Sequence, residues 1–128
     1  MNIERQLERV AQELETARSV LVNNSEAACS RAYYAMFYAA RAALIRAGHT
    51  ERAAGKSHSG VIAAFSEHLV GPGLIAREHG RAFGHAEQRR LVADYVEEGI
   101  PPEIAAEVIG QAEAFVVAVR DWVAAQAA

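Results

Sequence analysis

Membrane spans, secretion signals and disulfides all lack support in this sequence. No apolar run approaches the roughly 20 residues of a membrane-spanning helix, and the segment Met1–Arg9 is charged and has no signal-peptide core. The single cysteine, Cys29, excludes an intramolecular disulfide. No motif surrounds Cys29, so we expect a small core residue and not a nucleophile. These absences predict a cytoplasmic protein that makes no membrane contact.

Positive charge and proline are also scarce. The chain has 13 Lys and Arg against 16 Asp and Glu, a net charge of −3. The protein is therefore not a polycation, and any contact with nucleic acid needs a local basic patch. Only three prolines are present, which together with abundant alanine favours helix throughout. The length fits one domain, residues 1–128, with its own hydrophobic core.

Familiar catalytic and metal-binding patterns are missing as well. The five histidines show no close paired spacing and no His-Glu-x-x-His sequence, so we expect no metal site. No glycine-rich nucleotide loop, Ser–His–Asp set or paired catalytic carboxylates can be found. We therefore expect no cofactor.

What the sequence does have is helical periodicity along nearly its whole length. The stretch from residue 74 to 85 is less regular because Gly80 and Gly84 interrupt it, and residues 49–55 are expected to be a loop. The predicted helices cover residues 2–22, about 25–47, 57–69, 86–98 and 102–126. Short connections between long helices favour antiparallel neighbours. The predicted fold is all-α, an antiparallel up-and-down bundle of four main helices plus one shorter helix.

The second predicted helix has an unusually wide apolar surface. At 100° per residue it carries two adjacent stripes, Tyr33–Phe37–Ala40–Leu44 and Tyr34–Tyr38–Ile45. A surface helix has a narrower apolar band, so we expect neighbours on at least two sides. Arg41 falls inside this arc. Its guanidinium either snorkels to water or is paired in a polar site between helices.

One basic cluster stands out in the chain, consisting of Arg77, Arg81, Arg89 and Arg90. Arg81 and His85 are four residues apart, so they share a helix face if the helix is continuous. This face is either solvated or a contact surface for RNA or phosphate. Arg90 and Asp94 can pair in the same way, with Tyr95 at the apolar edge. This second group is either a surface ion pair beside a core tyrosine or a cleft-lining arginine held by Asp94. 

Three blocks of the sequence resemble the HEPN domain (higher eukaryotes and prokaryotes nucleotide-binding) in its small stand-alone prokaryotic branch. They are Ser-Arg-Ala-Tyr-Tyr-Ala-Met-Phe at 30–37, Lys-Ser-His-Ser-Gly at 56–60 and Arg-Leu-Val-Ala-Asp-Tyr at 90–95. The resemblance implies a helical bundle that typically forms homodimers. It also implies a frequent partner, a minimal nucleotidyltransferase encoded nearby, with which many members form a toxin–antitoxin pair.

Active members of that family are metal-independent ribonucleases, as the resemblance implies. Their motif is an arginine, four to six residues and then a histidine, in a cleft at the dimer interface. In some members a tyrosine two positions after that histidine is modified with AMP. Here the fifth position after Arg89 is Asp94, no histidine follows Arg90, and the Arg81-to-His85 spacing is one residue too short. The resemblance therefore predicts fold and partner class better than nuclease activity, and Tyr95 is not in the modified position.

Three hypotheses about function follow. The first is a dimeric toxin–antitoxin-type component that binds a nucleotidyltransferase partner, RNA or nucleotide. Its predicted binding groove consists of Arg31, Tyr34, Arg41, His58, Arg90, Asp94 and Tyr95. The second is a metal-independent endoribonuclease toxin that uses Arg81 and His85, or His58 with an arginine. His58 also starts an apolar stripe and so has a packing or capping alternative. The third is a non-catalytic scaffold bundle.

Overall fold

A computed structural model describes the backbone of residues 2–95 and 99–126 and the side chains of residues 2–92 and 99–126. The side chains of Asp94 and Tyr95, two predicted groove residues, lie outside the described part. The helices are α1 (Ile3–Val20), α2 (Ser25–Arg46), α3 (Thr50–Ala53), α4 (His58–Phe65), α5 (Arg77–Tyr95) and α6 (Pro102–Ala125), and α4 continues into a π-helical turn at Ser66–Val70. The described residues contain no strand. The predicted all-α bundle is confirmed.

Helix α2 is the central element of the bundle. It packs against α1, α5 and α6 and also contacts α3 and α4. Its fully buried positions alternate large side chains such as Tyr33, Met36 and Leu44 with many alanines. Alanine lets a neighbouring backbone approach closely while the large side chains fill the remaining space. The prediction that neighbours cover this helix on at least two sides is confirmed.

Helices α1 and α2 form an antiparallel hairpin. Asn24 ends the connection because its side-chain Oδ1 accepts a hydrogen bond from the backbone N–H of Ala27 at 2.9 Å, which caps α2. The register follows from two side-chain contacts, Arg9 with Tyr38 and Glu13 with Arg31. At its other end α2 stops before Gly48, whose φ of +90° is a left-handed conformation that favours glycine.

Two segments differ from the sequence prediction. Helix α5 begins at Arg77 and runs through Gly80 and Gly84, where an irregular stretch was expected. Burial of Phe83 and Ala86 against the core outweighs the low helix propensity of glycine. The predicted loop at residues 49–55 contains the single helical turn α3, which is anchored by the fully buried Ala53.

The centre of the bundle is an aromatic cluster where α4, α5 and α6 meet. Phe65 and Phe115 have ring centroids 5.2 Å apart, and Phe83 lies 5.2 Å from Phe115. Tyr33 of α2 joins the cluster through Phe83, with its ring centroid at 5.9 Å. Cys29 is fully buried, in agreement with the prediction of a core role. None of the described helices has both the length and the apolarity to cross a bilayer.

Candidate functional site

Arginine and aromatic side chains meet along one side of α2, where Tyr34 and Tyr38 are partly buried and Tyr33 and Phe37 are buried beneath them; we call this set the arginine–aromatic groove. Four arginines from three helices place the Cζ atom of their guanidinium over an aromatic ring of α2. The pairs are Arg9 over Tyr38 at 5.2 Å, Arg31 over Tyr34 at 4.8 Å, Arg41 over Phe37 at 4.4 Å and Arg90 over Tyr33 at 4.9 Å. A guanidinium over the face of a ring is attracted by the ring's negative π-cloud. The groove is therefore both cationic and aromatic.

His58 lies within this groove, at the start of α4. The helix begins there because Ser57 Oγ accepts a hydrogen bond from the backbone N–H of Gly60 at 3.1 Å. The imidazole stacks on Phe37, with centroids 4.6 Å apart, and its Nδ1 lies 2.8 Å from the hydroxyl of Tyr33. Burial first, and then the positive charges of Arg90 and Arg41, lower the pKa of His58. The imidazole is therefore neutral at pH 7.

Arg90 is fixed in the groove by Glu87, one turn earlier on α5. Arg90 Nη2 donates to Glu87 Oε1 at 3.0 Å and Arg90 Nε donates to Glu87 Oε2 at 3.2 Å. Burial alone would lower the pKa of Arg90, but the hydrogen bonds and charge of Glu87 and the neighbouring tyrosines leave it raised. Burial, and then the charge and hydrogen bonding of Glu87, also raise the pKa of Tyr33. Tyr33 is therefore neutral, and its hydroxyl forms the hydrogen bond with His58 Nδ1.

The other arginines of the groove differ in how they are neutralised. Arg31 Nη1 lies 3.0 Å from Glu13 Oε2. Arg9 Nη1 donates to the hydroxyl of Tyr38 at 3.1 Å. The Nε of Arg41 is buried and has no hydrogen-bond partner among the described residues. Burial first, and then the charge of Arg9, lower the pKa of Arg41, and Tyr38 partly offsets this.

Five predicted groove residues lie together in the structure, namely Arg31, Tyr34, Arg41, His58 and Arg90. Tyr34 is at their centre, because its ring centroid is 5.6 Å from that of His58 and 5.9 Å from Arg90 Cζ. The pairing of Arg90 with Asp94 and the position of Tyr95 remain predictions, since those side chains lie outside the described part.

Arg81 and His85 lie apart from the groove. Helix α5 is continuous between them, as their pairing requires, but both side chains are exposed. Arg81 lines a hollow with Arg77 and Ser66, whereas His85 lines a separate cavity of about 310 Å³ with Arg89 and Ile100. The described contacts of the arginine–aromatic groove include neither residue, so only His58 among the candidate catalytic residues is part of it.

Arg9 and Glu87 are groove residues that the sequence prediction did not include. Glu87 lies three residues before Arg90, and this spacing on one helix face was an available signal. Arg9 had no such signal, because Tyr38 is 29 positions away in the chain.

One arginine–histidine pair with the family's spacing stands outside α5. Five residues separate Arg52 from His58, counted as 53 to 57 in the sequence. In the structure, however, Arg52 is exposed on α3 and its Nη1 lies 3.4 Å from Glu67 Oε2, whereas His58 bonds to Tyr33. The family's arginine–histidine spacing is therefore missing from α5 and present between Arg52 and His58. That spacing does not by itself bring Arg52 into the groove.

The donors of the groove suit an anionic, planar ligand. Guanidinium, phenol and imidazole groups provide hydrogen bonds to oxygen anions, and the partly buried rings of Tyr34 and Tyr38 provide stacking surface. Within the described residues there is no group of three or more His, Cys, Asp or Glu that could hold a metal ion. 

Comparison with known proteins agrees with this fold. The HEPN domain family matches residues 3–122. The UPF0332 protein glr0978 of Gloeobacter violaceus is 38% identical over 91 residues, which cover 70% of this chain and 68% of that protein. A Methanocaldococcus jannaschii protein named "Putative toxin MJ0605" is 35% identical over 109 residues, which cover 84% of this chain and 78% of that protein. The chain belongs to the HEPN domain family.

Proposed function

We propose that this protein is a toxin-like HEPN protein that binds single-stranded RNA or a nucleotide in the arginine–aromatic groove. The observation that carries the proposal is the set of guanidinium groups lying 4.4 to 5.2 Å from aromatic rings along one helix face. Single-stranded nucleic acids are bound by cationic grooves that follow the backbone and by aromatic rings on which bases stack. The name of the Methanocaldococcus jannaschii relative supports the toxin-like role.

The positive charge of the groove favours binding of RNA or a nucleotide, although the chain as a whole has a net negative charge. The net charge of the chain is −3, so general attraction to phosphate backbones is absent and binding must come from a local patch. Tyr34 and Tyr38 are only partly buried on the outward face of α2, which leaves ring surface for a base. The bases of a double helix are paired and stacked on one another, whereas unpaired bases are free to stack on aromatic side chains.

Binding is tested with a fluorescently labelled decauridylate by anisotropy. The variants Tyr34→Ala and Arg90→Ala remove a stacking ring and a groove cation, and stacking is worth about 1–3 kcal/mol per base. We expect each variant to weaken binding by about tenfold or more. Arg18→Ala is the matched control, because Arg18 pairs with Glu113 at 2.8 Å at an exposed site. Equal affinity of all three variants and the wild type would refute the proposal.

A second candidate function is metal-independent RNA cleavage with His58 as the base. It is supported by a neutral imidazole beside the cationic side chains of Arg41 and Arg90. Purified protein is incubated with RNA in EDTA, and His58→Ala is expected to abolish cleavage. Arg81→Ala and His85→Ala are controls with full activity, since both residues are exposed outside the groove. No cleavage by the wild type eliminates this candidate.

A homodimer and a minimal nucleotidyltransferase partner complete the proposal. They follow from family membership, and Leu91 and Val92 on α5 offer exposed apolar surface for packing. Light scattering after size exclusion measures the dimer, and co-purification with the product of an adjacent nucleotidyltransferase gene measures the partner. A monomer that binds neither RNA nor that protein would favour the scaffold hypothesis.

A further inference from the structure

The four arginines of the groove fall into two kinds. Arg31 and Arg90 each have a carboxylate within 3.0 Å, from Glu13 and Glu87. Among the described side chains, no carboxylate oxygen lies within 4.0 Å of the guanidinium of Arg9 or Arg41. Carboxylates among the described side chains therefore neutralise the first pair of arginines and not the second.

Arg9 and Arg41 belong to the same part of the groove. Arg9 reaches from α1 to the hydroxyl of Tyr38 at 3.1 Å, and Arg41 follows Tyr38 by three residues on α2, so both flank one tyrosine. The guanidinium of Arg41 lies on Phe37 with a buried Nε that lacks a partner among the described residues. Both side chains are positively charged, and the charge of Arg9 contributes to lowering the pKa of Arg41 after the larger effect of burial. 

Two partly buried like charges without a carboxylate are costly for the fold. An anion between them would remove the repulsion and accept the hydrogen bonds that the guanidinium groups offer. Arginine favours phosphate because its planar fork donates two parallel hydrogen bonds to the phosphate oxygens. The aromatic rings beside the site point to a phosphate that carries a base.

We propose that Arg9 and Arg41 form the phosphate subsite of the groove, with Tyr38 orienting Arg9. Arg31 and Arg90, bound to their own carboxylates, position the partly buried Tyr34 for the base. This division rests on the proposed function, because it assumes that the ligand is a nucleotide or an RNA. It goes further in naming which cations bind the phosphate and which position the aromatic rings.

The subsite is tested by comparing uridine 5′-monophosphate with uridine by calorimetry. We expect Arg9→Gln and Arg41→Gln each to weaken binding of the nucleotide by about tenfold, the loss of a charge-assisted hydrogen bond, and to leave binding of the nucleoside unchanged. Arg31→Gln is the matched control because Arg31 also lies over a tyrosine of α2. It should keep the wild-type ratio of the two affinities. An unchanged ratio in the Arg9 and Arg41 variants would overturn the subsite.

The salt dependence of decauridylate binding provides a second readout. Each phosphate contact to a single strand contributes about 0.7 to the slope of log affinity against log salt. Arg9→Gln and Arg41→Gln should each reduce the slope by about that amount, and Arg31→Gln should not. If the wild type binds the nucleotide but not RNA, and the variants lose nucleotide binding, the subsite is retained and the RNA role is rejected.

If the wild type binds RNA and the variants show unchanged slopes, the RNA role is retained and the subsite is rejected. If the wild type binds no phosphate probe, both are rejected.

Protein stability separates a binding role from a structural one. Arg41→Met keeps the aliphatic packing and removes the charge. The melting temperature should therefore equal or exceed that of the wild type, while nucleotide binding is weakened by about tenfold. A clear decrease in melting temperature together with wild-type nucleotide affinity would mean that Arg41 only supports the fold.

Discussion

His58 is the residue whose chemistry depends most directly on its surroundings. Its ring lies between aromatic faces and two cations, and its pKa is lowered below the ordinary value. The native state therefore binds a proton less readily than the unfolded state does, and it is favoured while His58 is neutral. Neutral His58 contributes stability above the ordinary histidine pKa of about 6.5, and this contribution is lost as the pH falls through the lower pKa of the folded state.

Replacing His58 should reduce the dependence of stability on pH. Urea unfolding from about pH 8 to about pH 5 is expected to show a larger loss of unfolding free energy for the wild type than for His58→Gln. The other histidines are present in both proteins, so the difference between the two slopes isolates His58. Parallel curves would contradict this account of its environment.

Glu87 should be important for stability because it holds a largely buried arginine. The side chains of Arg90 and Glu87 are 15% and 17% exposed. Glu87→Gln removes charge-assisted hydrogen bonds and leaves the guanidinium without its carboxylate, at a cost of about 2 kcal/mol in the free energy of unfolding. 

The control for Glu87 is the exposed pair of Arg5 and Glu8, where Glu8→Gln should change the free energy of unfolding by less than about 0.5 kcal/mol. The double variant Glu87→Gln, Arg90→Gln should recover part of the loss. Equal effects at Glu87 and Glu8 in chemical denaturation would show that burial does not strengthen the groove pair.

At the scale of helices, the sequence predicted which elements form but was weaker on their ends. Spacing of apolar residues located α1, α2 and α6 closely, because each has a long stripe facing the core. Helix α5 was underestimated because Gly80 and Gly84 lower local propensity, and only the packed structure shows Phe83 buried between them. 

The groove could be predicted only where local sequence carried a signal. The apolar arc of α2 marked Arg41. The other predicted groove residues that the structure brings together lie in the family blocks at 30–37, 56–60 and 90–95. Arg9 could not be predicted, since its place depends on the register of α1 on α2.

The glycines of α5 provide a test of element stability. A Cβ at Gly84 would meet nothing within 4 Å, so Gly84→Ala should stabilise the protein by about 0.5–1 kcal/mol through higher helix propensity. A Cβ at Gly80 would lie 3.1 Å from a methyl of Val70, so Gly80→Ala should gain less or lose stability. Thermal melting of both variants measures the difference, and a larger gain at Gly80 would contradict the close packing of α5 on the π-helical turn.

The connection between α5 and α6 depends on a contact between distant parts of the chain. The backbone N–H of Ile100 donates to Glu26 Oε1 at 3.0 Å. Gly99 has a φ of +74°, and a Cβ there would overlap the Glu26 carboxylate. Gly99→Ala should therefore lower the unfolding free energy by about 1–3 kcal/mol, in contrast to Gly84→Ala. A neutral result in denaturant titration would show that Glu26 can move aside.

For the whole molecule, binding and protonation should be linked. An anion at Arg41 would lie near His58, because both the Arg41 guanidinium and the His58 imidazole contact the ring of Phe37. The phosphodiesters of decauridylate do not titrate near neutral pH, and a phosphodiester that neutralises Arg41 should raise the pKa of His58. Binding of decauridylate should therefore take up protons and tighten as the pH falls towards about 6. Calorimetry in buffers of different ionisation enthalpy measures proton uptake. His58→Gln should abolish it, and equal uptake by that variant would place the titrating group elsewhere.

Helix α1 is joined to α2 by residues 21–24 alone and packs mainly against that helix. It also supplies Arg9 and Glu13 to the groove. If two copies exchanged α1 by opening this short hinge, each groove would be rebuilt from two chains with the same contacts. Such a domain-swapped pair would keep the contacts of each groove. In a mixed pair with one copy defective at Arg9, the defective α1 would lie on the α2 of the intact copy, so one of the two grooves would lack Arg9.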